Sequence, residues 1–399
     1  MAERLKLAII GDPHLAVPRG EPDHRLEVDP GRKLHGLSVE LLTATIDEIN
    51  AAGGVDATLV LGDLTRDSEV FNHEVAREQL ARLAMPFYLV AGNHDNVRRR
   101  AKGVSYPDEP RLDRQGFQEF YRGAGLPGDT TRYAVELPGG VVLVVLDSNC
   151  TLAELKLIKG GLKRQDHGWV SQSQRRWLHH VLGNIRQVGR LPLVAVHHSV
   201  TVQSPAEHPG HPLYGFFDFW RIHDAEPLRK VLARHRVPLV LSGHLHAQSA
   251  GRQGGVLNLV TAASVSYPHA WRLLTVTEEA IHVESHPLRS IPSCADLQEQ
   301  SRSWLSEGMG EMIEQASRRI PMLSRLSSGL REFIIATEWW PRFCDGTLAG
   351  FRVPAALVPE GNKVTTALYG RVVKLLNQYG TWKNRYPDPN ALTIPLSAD

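Results

Sequence analysis

The sequence predicts an α/β fold in which two packed sheets carry helices on their outer faces. Short apolar runs alternate with amphipathic stretches of helical period, five of those runs end abruptly in Asp, Asn or His, and the later part of the chain turns to hairpins. Ligands of open α/β sheets gather beyond the carboxyl ends of the strands, so five such ends can meet at one place.

Residues 5–10 form the first strand and lead into Gly11-Asp12-Pro13-His14. The polar, Pro/Gly-rich residues 17–33 have no sustained period and read as a loop at the rim of a site. Leu34, Leu37, Leu41, Leu42, Ile46 and Ile49 then recur at helical spacing, and Gly53-Gly54 stops that helix before a strand at 57–61 that ends in Gly62-Asp63. A second amphipathic helix over 72–83 leads to a strand at 86–90, where Gly92 turns the chain into Asn93-His94-Asp95. A polar loop from 97 to 111 carries Arg98, Arg99 and Arg100. A short helix through Phe117 and Phe120 follows, and then a hairpin of residues 132–137 and 141–146 that ends at Asp147.

A second polar loop spans 148–168, and Ser171 opens a helix patterned by Trp177, Leu178 and Leu182. The strand at 193–196 runs into His197-His198. A His/Pro/Gly-rich loop at 204–214, with His208 and His211, and a helix at 224–234 precede the strand at 238–241, which ends in Ser242-Gly243-His244-Leu245-His246. Strands at 256–260, 271–276 and 281–284 complete this part. Beyond Pro292 strand-like runs cease, and helices are predicted over 297–330, 331–340 and 364–379. Trp304, Trp339, Trp340 and Trp382, half of the eight tryptophans, fall here, so this quarter buries or presents large apolar surface. The expected division is a site-bearing domain over 1–290 and a mainly helical cap or oligomerisation region over 291–399.

Bulk properties narrow the function. A chain of 399 residues with 42% hydrophobic and 22% charged residues is that of a globular protein, and a net charge of +2 gives no broad cationic field for nucleic acid or membrane. Cys150, Cys294 and Cys344 are too few and too scattered for a disulfide framework and fit a reducing compartment. No apolar stretch approaches the ~20 residues of a membrane span. The amino terminus enters the first strand without a signal-peptide core, so a cytoplasmic location is expected.

Together the five strand ends supply Asp12, His14, Asp63, Asn93, His197, His244 and His246, with His94 and His198 beside them. Mixed imidazole and carboxylate ligands suit Mn, Fe or Zn. Seven ligands exceed the needs of one ion, whereas two ions sharing a bridging carboxylate use them all, the standard arrangement for hydrolytic displacement at phosphorus.

At these residues the chain resembles the calcineurin-like metallophosphoesterases, whose signature of Asp-x-His, Gly-Asp, Gly-Asn-His-Asp, a later His and Gly-His-x-His stands here in order over roughly residues 5–286. The resemblance implies a four-layer αββα sandwich of two mixed sheets with a C-terminal helical appendage. It also implies that Asp12, His14 and His246 hold one metal and Asn93, His197 and His244 the other, with Asp63 bridging; position in the motif assigns His197, and the residues alone leave His198 open. Metal-activated hydroxide is then expected to attack phosphorus, with His94 stabilising or protonating the departing oxygen. Asp95 is expected to orient His14 or His94, and Arg98 to bind an anionic substrate.

Within the family the spacing is most like the bacterial phosphodiesterases of the cyclic-nucleotide and glycerophosphodiester type, so the expected partner is a small organic phosphodiester. A pyrophosphate hydrolase acting on a nucleotide-sugar or lipid-linked substrate, a phosphomonoesterase, and a non-catalytic metal-stabilised scaffold are the alternatives. A nucleic-acid substrate is not expected, because no basic track with interleaved aromatics is present. Homo-oligomer contacts through the C-terminal helices are expected as a second use of that region.

Overall fold

Unbroken apolar strands such as Val141–Leu146 bury both faces, which is possible only when the sheet is covered on both sides. The computed structural model shows how; it describes residues 3–19, 33–95, 108–150, 167–207, 221–318, 327–358 and 363–396. The first sheet contains β1 (Glu3–Ile10), β2 (Ala57–Val60), β3 (Phe87–Leu89), β10 (Ala270–Thr277), β11 (Ala280–Pro287) and β12 (Ala391–Pro395), in the order β12-β11-β10-β1-β2-β3. The second contains β4 (Tyr133–Leu137), β5 (Val141–Leu146), β6 (Leu191–Val196), β7 (Val240–Ser242), β8 (Ser249–Gln253) and β9 (Val256–Val260), in the order β4-β5-β6-β7-β9-β8. Each is mixed. β1, β2 and β3 run parallel, as do β5, β6, β7 and β9, and antiparallel strands complete both sheets.

Alternation along β5 shows the layering directly. Leu143 and Val145 join Leu5, Leu7 and Ile9 in the core shared by the two sheets. Val142, Val144 and Leu146 face outward onto α4 (Gln172–Gln187) and α5 (Glu226–Arg234) through Leu178, Leu182, Leu228 and Leu232. On the far side α1 (Ser38–Ala52) buries Leu42, Ile46 and Ile49, and α2 (Val70–Leu80) buries Ala76 and Leu80. The αββα sandwich expected from the sequence is therefore present. The Ser171 side chain caps α4 by accepting from the Gln174 N–H, and Asp113 caps α3 (Arg114–Tyr121) by accepting from Gly116.

The C-terminal helices α6 (Leu297–Arg318), α7 (Ser327–Thr337), α8 (Trp339–Cys344) and α9 (Lys363–Lys383) form their own apolar cluster, built on Trp339, Phe343 and Tyr379. That cluster includes Leu245, Ala247 and Val260 of the sandwich, so the helices pack directly against the second sheet. Two strands were absent from the sequence reading. β8 has the unpromising sequence Ser-Ala-Gly-Arg-Gln, and β12 returns from the helical region to pair antiparallel with β11. Both lie at sheet edges, where weak propensity and flanking prolines are tolerated. Arg98, Arg99, Arg100, His208 and His211 lie outside the described residues.

Candidate metal centre

Every candidate ligand sits just beyond a strand end, and the backbone there is strained in a consistent way. Of ten described non-glycine residues with positive φ, five are Asp12, His14, Asp63, His244 and His246. Such conformations cost on the order of 1 kcal/mol or more each and persist only where the surroundings enforce them. Here they are interlocked. The His14 N–H donates to Asp63 O at 2.8 Å, the Gly243 N–H to His197 O at 3.0 Å, and the His244 N–H to both Asp12 carboxylate oxygens at 3.0 and 3.1 Å. Gly92 is needed for space: a Cβ there would stand 2.1 Å from Asp63 N and 2.2 Å from Asp63 Oδ1.

The side chains converge on Asp63. Its Oδ2 lies 3.4 Å from His14 Nε2 and 3.3 Å from His197 Nε2. On the first side His14 Nε2 is 3.0 Å from His246 Nε2, and Asp12, His14, Asp63 and His246 group within 4.8 Å. On the second side His197 Nε2 is 3.0 Å from Asn93 Oδ1, and His197, His198 and His244 form another such group. With Nδ1–H of His197 donating to Leu61 O at 2.7 Å, Nε2 is the ring nitrogen turned to Asp63 and Asn93. The neighbouring His198 instead engages Ser148 Oγ through Nδ1 at 2.8 Å, with its ring 4.2 Å from that of His244.

Imidazole nitrogens, a carboxylate oxygen and an amide oxygen 3.0–3.4 Å apart need a proton or a cation between them. Ligands about 2.1 Å from a common ion take up this mutual spacing, so the donor set fits metal binding. On the His14 side the titration agrees. Burial first, and then the charge of Lys33, hold His14 and His246 well below the usual imidazole range, so both are neutral ligands. Burial would raise Asp63, but His197 and His94 outweigh it and hold the carboxyl well below its ordinary value. Burial pushes Asp12 up to about 8, with Asp63 adding to the rise and His197 opposing it. Burial also works against a charged His197, yet Asp63 and Asp12 raise it to about 9.

His94 is half-buried beside the ligands. Its N–H donates to Asp63 Oδ1 at 2.8 Å, its Nδ1 lies 2.5 Å from Arg66 O, and its ring is edge-on to His14 at 4.8 Å. Asp95 does not contact His14 or His94 as expected. Its carboxylate folds back on its own turn and accepts from the Gly92 N–H at 2.9 Å and the Thr65 N–H at 3.2 Å, because the turn brings it within reach of these buried donors. Burial, reinforced by Asp63, raises Asp95 to about 7. Lys33 is not among the sequence candidates: its Nζ stands 3.2 Å from His14 Nε2, at the end of the segment expected to form a rim loop.

The calcineurin-like phosphoesterase family model matches residues 5–248, and the chain belongs to this family. Among solved structures it resembles a dimetal phosphatase from Danio rerio, at 17% identity and a TM-score of 0.52 over 72% of this chain and 97% of that one. It also resembles a purple acid phosphatase from yellow lupin (Lupinus luteus), at 14% identity and a TM-score of 0.46 over 72% and 52% of the respective chains. The likeness to the first shows the fold. No curated protein matches the chain.

Proposed function

We propose that the protein is a binuclear metal-dependent phosphodiesterase that cleaves a P–O bond of a small organic phosphodiester. The observation that carries the reading is the single Asp63 oxygen set 3.4 and 3.3 Å from imidazoles of two separate ligand groups, the geometry of a carboxylate shared by two ions. In this reading Asp12, His14 and His246 would hold one ion and Asn93, His197 and His244 the other, with Asp63 shared between them; the His198 ring lies 4.2 Å from that of His244. When bound, the ions neutralise phosphoryl charge and make a nucleophilic water available at neutral pH, and Mn, Fe or Zn all suit this donor set.

The rest is the work of the chain. The Asp63 Oδ1 that accepts from the His94 N–H fixes the turn carrying Asn93 and His94. The Arg66 carbonyl holds the His94 ring through Nδ1–H, which leaves Nε2 as the ring atom available to act on the departing oxygen. A diester leaves a second organic group on phosphorus, and a cavity one strand away from His197 offers it room. The pyrophosphate alternative called for an apolar groove formed by the C-terminal helices beside the metals. Trp339, Phe343 and Tyr379 are instead buried in packing against the sandwich. No described helix is long and apolar enough to cross a membrane, and all three cysteines are buried free thiols, as a reducing, cytoplasmic setting would suit.

The test is the rate on bis(p-nitrophenyl) phosphate against p-nitrophenyl phosphate with Mn-reconstituted protein and Asp63→Asn as the control. Diester preference that disappears in the variant supports the proposal. Monoester preference overturns the diester assignment, and activity equal to that of the variant on both overturns hydrolysis.

A further inference from the structure

At the β4 edge of the second sheet lies a cavity of about 240 Å³. Leu146 of β5 pairs with Val196 of β6, so Asp147, in the cavity wall, stands next to His197, about one strand spacing (~4.8 Å) away. Asn149, also in the wall, donates through Nδ2 to Ala91 O at 2.8 Å and thereby touches the segment that presents Asn93 and His94.

The cavity is electropositive for two independent reasons. Arg132 lines it with its guanidinium stacked on Trp177 at 5.6 Å, and among the described residues no carboxylate pairs with it. The first turn of α4 also faces it through Ser171, Ser173 and Gln174, and that turn holds no acidic residue to offset the helix's positive end. Asp147, the wall's carboxylate, is committed elsewhere: it accepts from Asn149 N at 2.8 Å and Thr131 Oγ1 at 2.7 Å, and Arg114 Nε lies 3.3 Å from it. A guanidinium, a helix start and hydroxyl groups around one small space recognise an anion.

We propose that this cavity is an anion subsite that takes the charged end, a carboxylate or a second phosphate, of the organic group attached to the scissile phosphorus. The inference rests on the phosphodiesterase reading and narrows it: the substrate is a diester with a second anionic group a few bonds from the first.

Binding is tested apart from catalysis. Sulfate is titrated into the chelator-treated full-length chain at constant ionic strength, with Trp169 in the cavity wall as the fluorescent reporter and Trp169→Phe to assign the signal. A saturable change is expected, weakened about tenfold or more by Arg132→Gln. Ser173→Asp is expected to weaken it similarly by repulsion while leaving folding intact, since a carboxylate in a first helical turn is favourable. A signal that does not saturate, or that both variants leave unaltered, overturns the subsite.

The kinetic arm uses Mn-loaded protein and p-nitrophenyl phosphodiesters whose second group is butyl, 4-carboxybutyl or 4-phosphonobutyl. Arg132→Gln is expected to raise the KM of a charged diester relative to the butyl diester by about tenfold, and the larger rise identifies the preferred anion. An unchanged ratio for both charged diesters overturns the substrate role. Saturable sulfate binding with no hydrolysis of any diester supports the anion site, and the phosphodiesterase reading alone then falls.

Discussion

Arg272→Met is expected to make the protein more stable. Arg272 lies on β10 opposite Ile9 of β1 and Ser285 of β11, on the strand face that also carries Leu274 and Val276 into the main core. It is fully buried, and Nε, Nη1 and Nη2 find no hydrogen-bond partner among the described residues. Burial pulls the guanidinium well down from its ordinary range to about 9, only partly opposed by Asp388. At about 1.4 kcal/mol per pKa unit this corresponds to about 5 kcal/mol against the charged form. Methionine fills similar space without a charge, and replacing buried ions by packed apolar groups has stabilised proteins by about 1–4 kcal/mol. That is the expected gain, read as a raised urea midpoint at pH 7.5. The pH dependence gives a second reading. A base whose folded pKa is lowered leaves the unfolded state holding more protons above about 9, so wild-type stability should rise with pH from there relative to the variant. A variant less stable by more than about 1 kcal/mol, with no such relative rise, would refute the reasoning and show that the charge is paired.

Three further outcomes are expected. His94→Asn should lower kcat by about 10²–10⁴ on diesters with alkoxide leaving groups and much less on p-nitrophenyl esters, whose leaving group needs no proton; a leaving-group series checks this. Gly92→Ala places a Cβ 2.1 Å from Asp63 N, where backbone cannot yield, so the variant should fail to retain metal by elemental analysis and lose about 3 kcal/mol or more. Burial lowers His73 to about 3, so the unfolded state takes up its proton first and stability should fall as pH drops from about 6.5 toward 3, by up to about 5 kcal/mol. His73→Asn should flatten that part of the acid-unfolding curve; an unaltered slope would contradict it.

The strands that carry chemistry were legible because their signal is local: an apolar run that stops within one residue at Asp, Asn or His needs no distant partner to be recognised. Strands β8 and β12 were not, since Ser249–Gln253 and Ala391–Pro395 lack a strong strand pattern and are held by pairing to β9 and β11. Asp95 reads as a side chain of the site, yet its carboxylate holds backbone, because the fold of the turn decides which donors it meets. Lys33 follows a long aperiodic segment, and only tertiary contact reveals that its ammonium reaches His14.

By itself the sequence determined the two-sheet class, the order of the strands that carry the ligands, and the family to which the chain belongs. These follow from periodicity and from residue types at fixed short spacings. Tertiary structure decided that one Asp63 oxygen faces both ligand groups, that His197 Nε2 is turned to it while His198 Nδ1 meets Ser148, and that a cavity lined by Arg114 and Arg132 opens beside Asp147. Those facts depend on the register of β5 against β6 and on strained turns locked by bonds between segments up to 232 residues apart, and such geometry leaves no trace in local sequence.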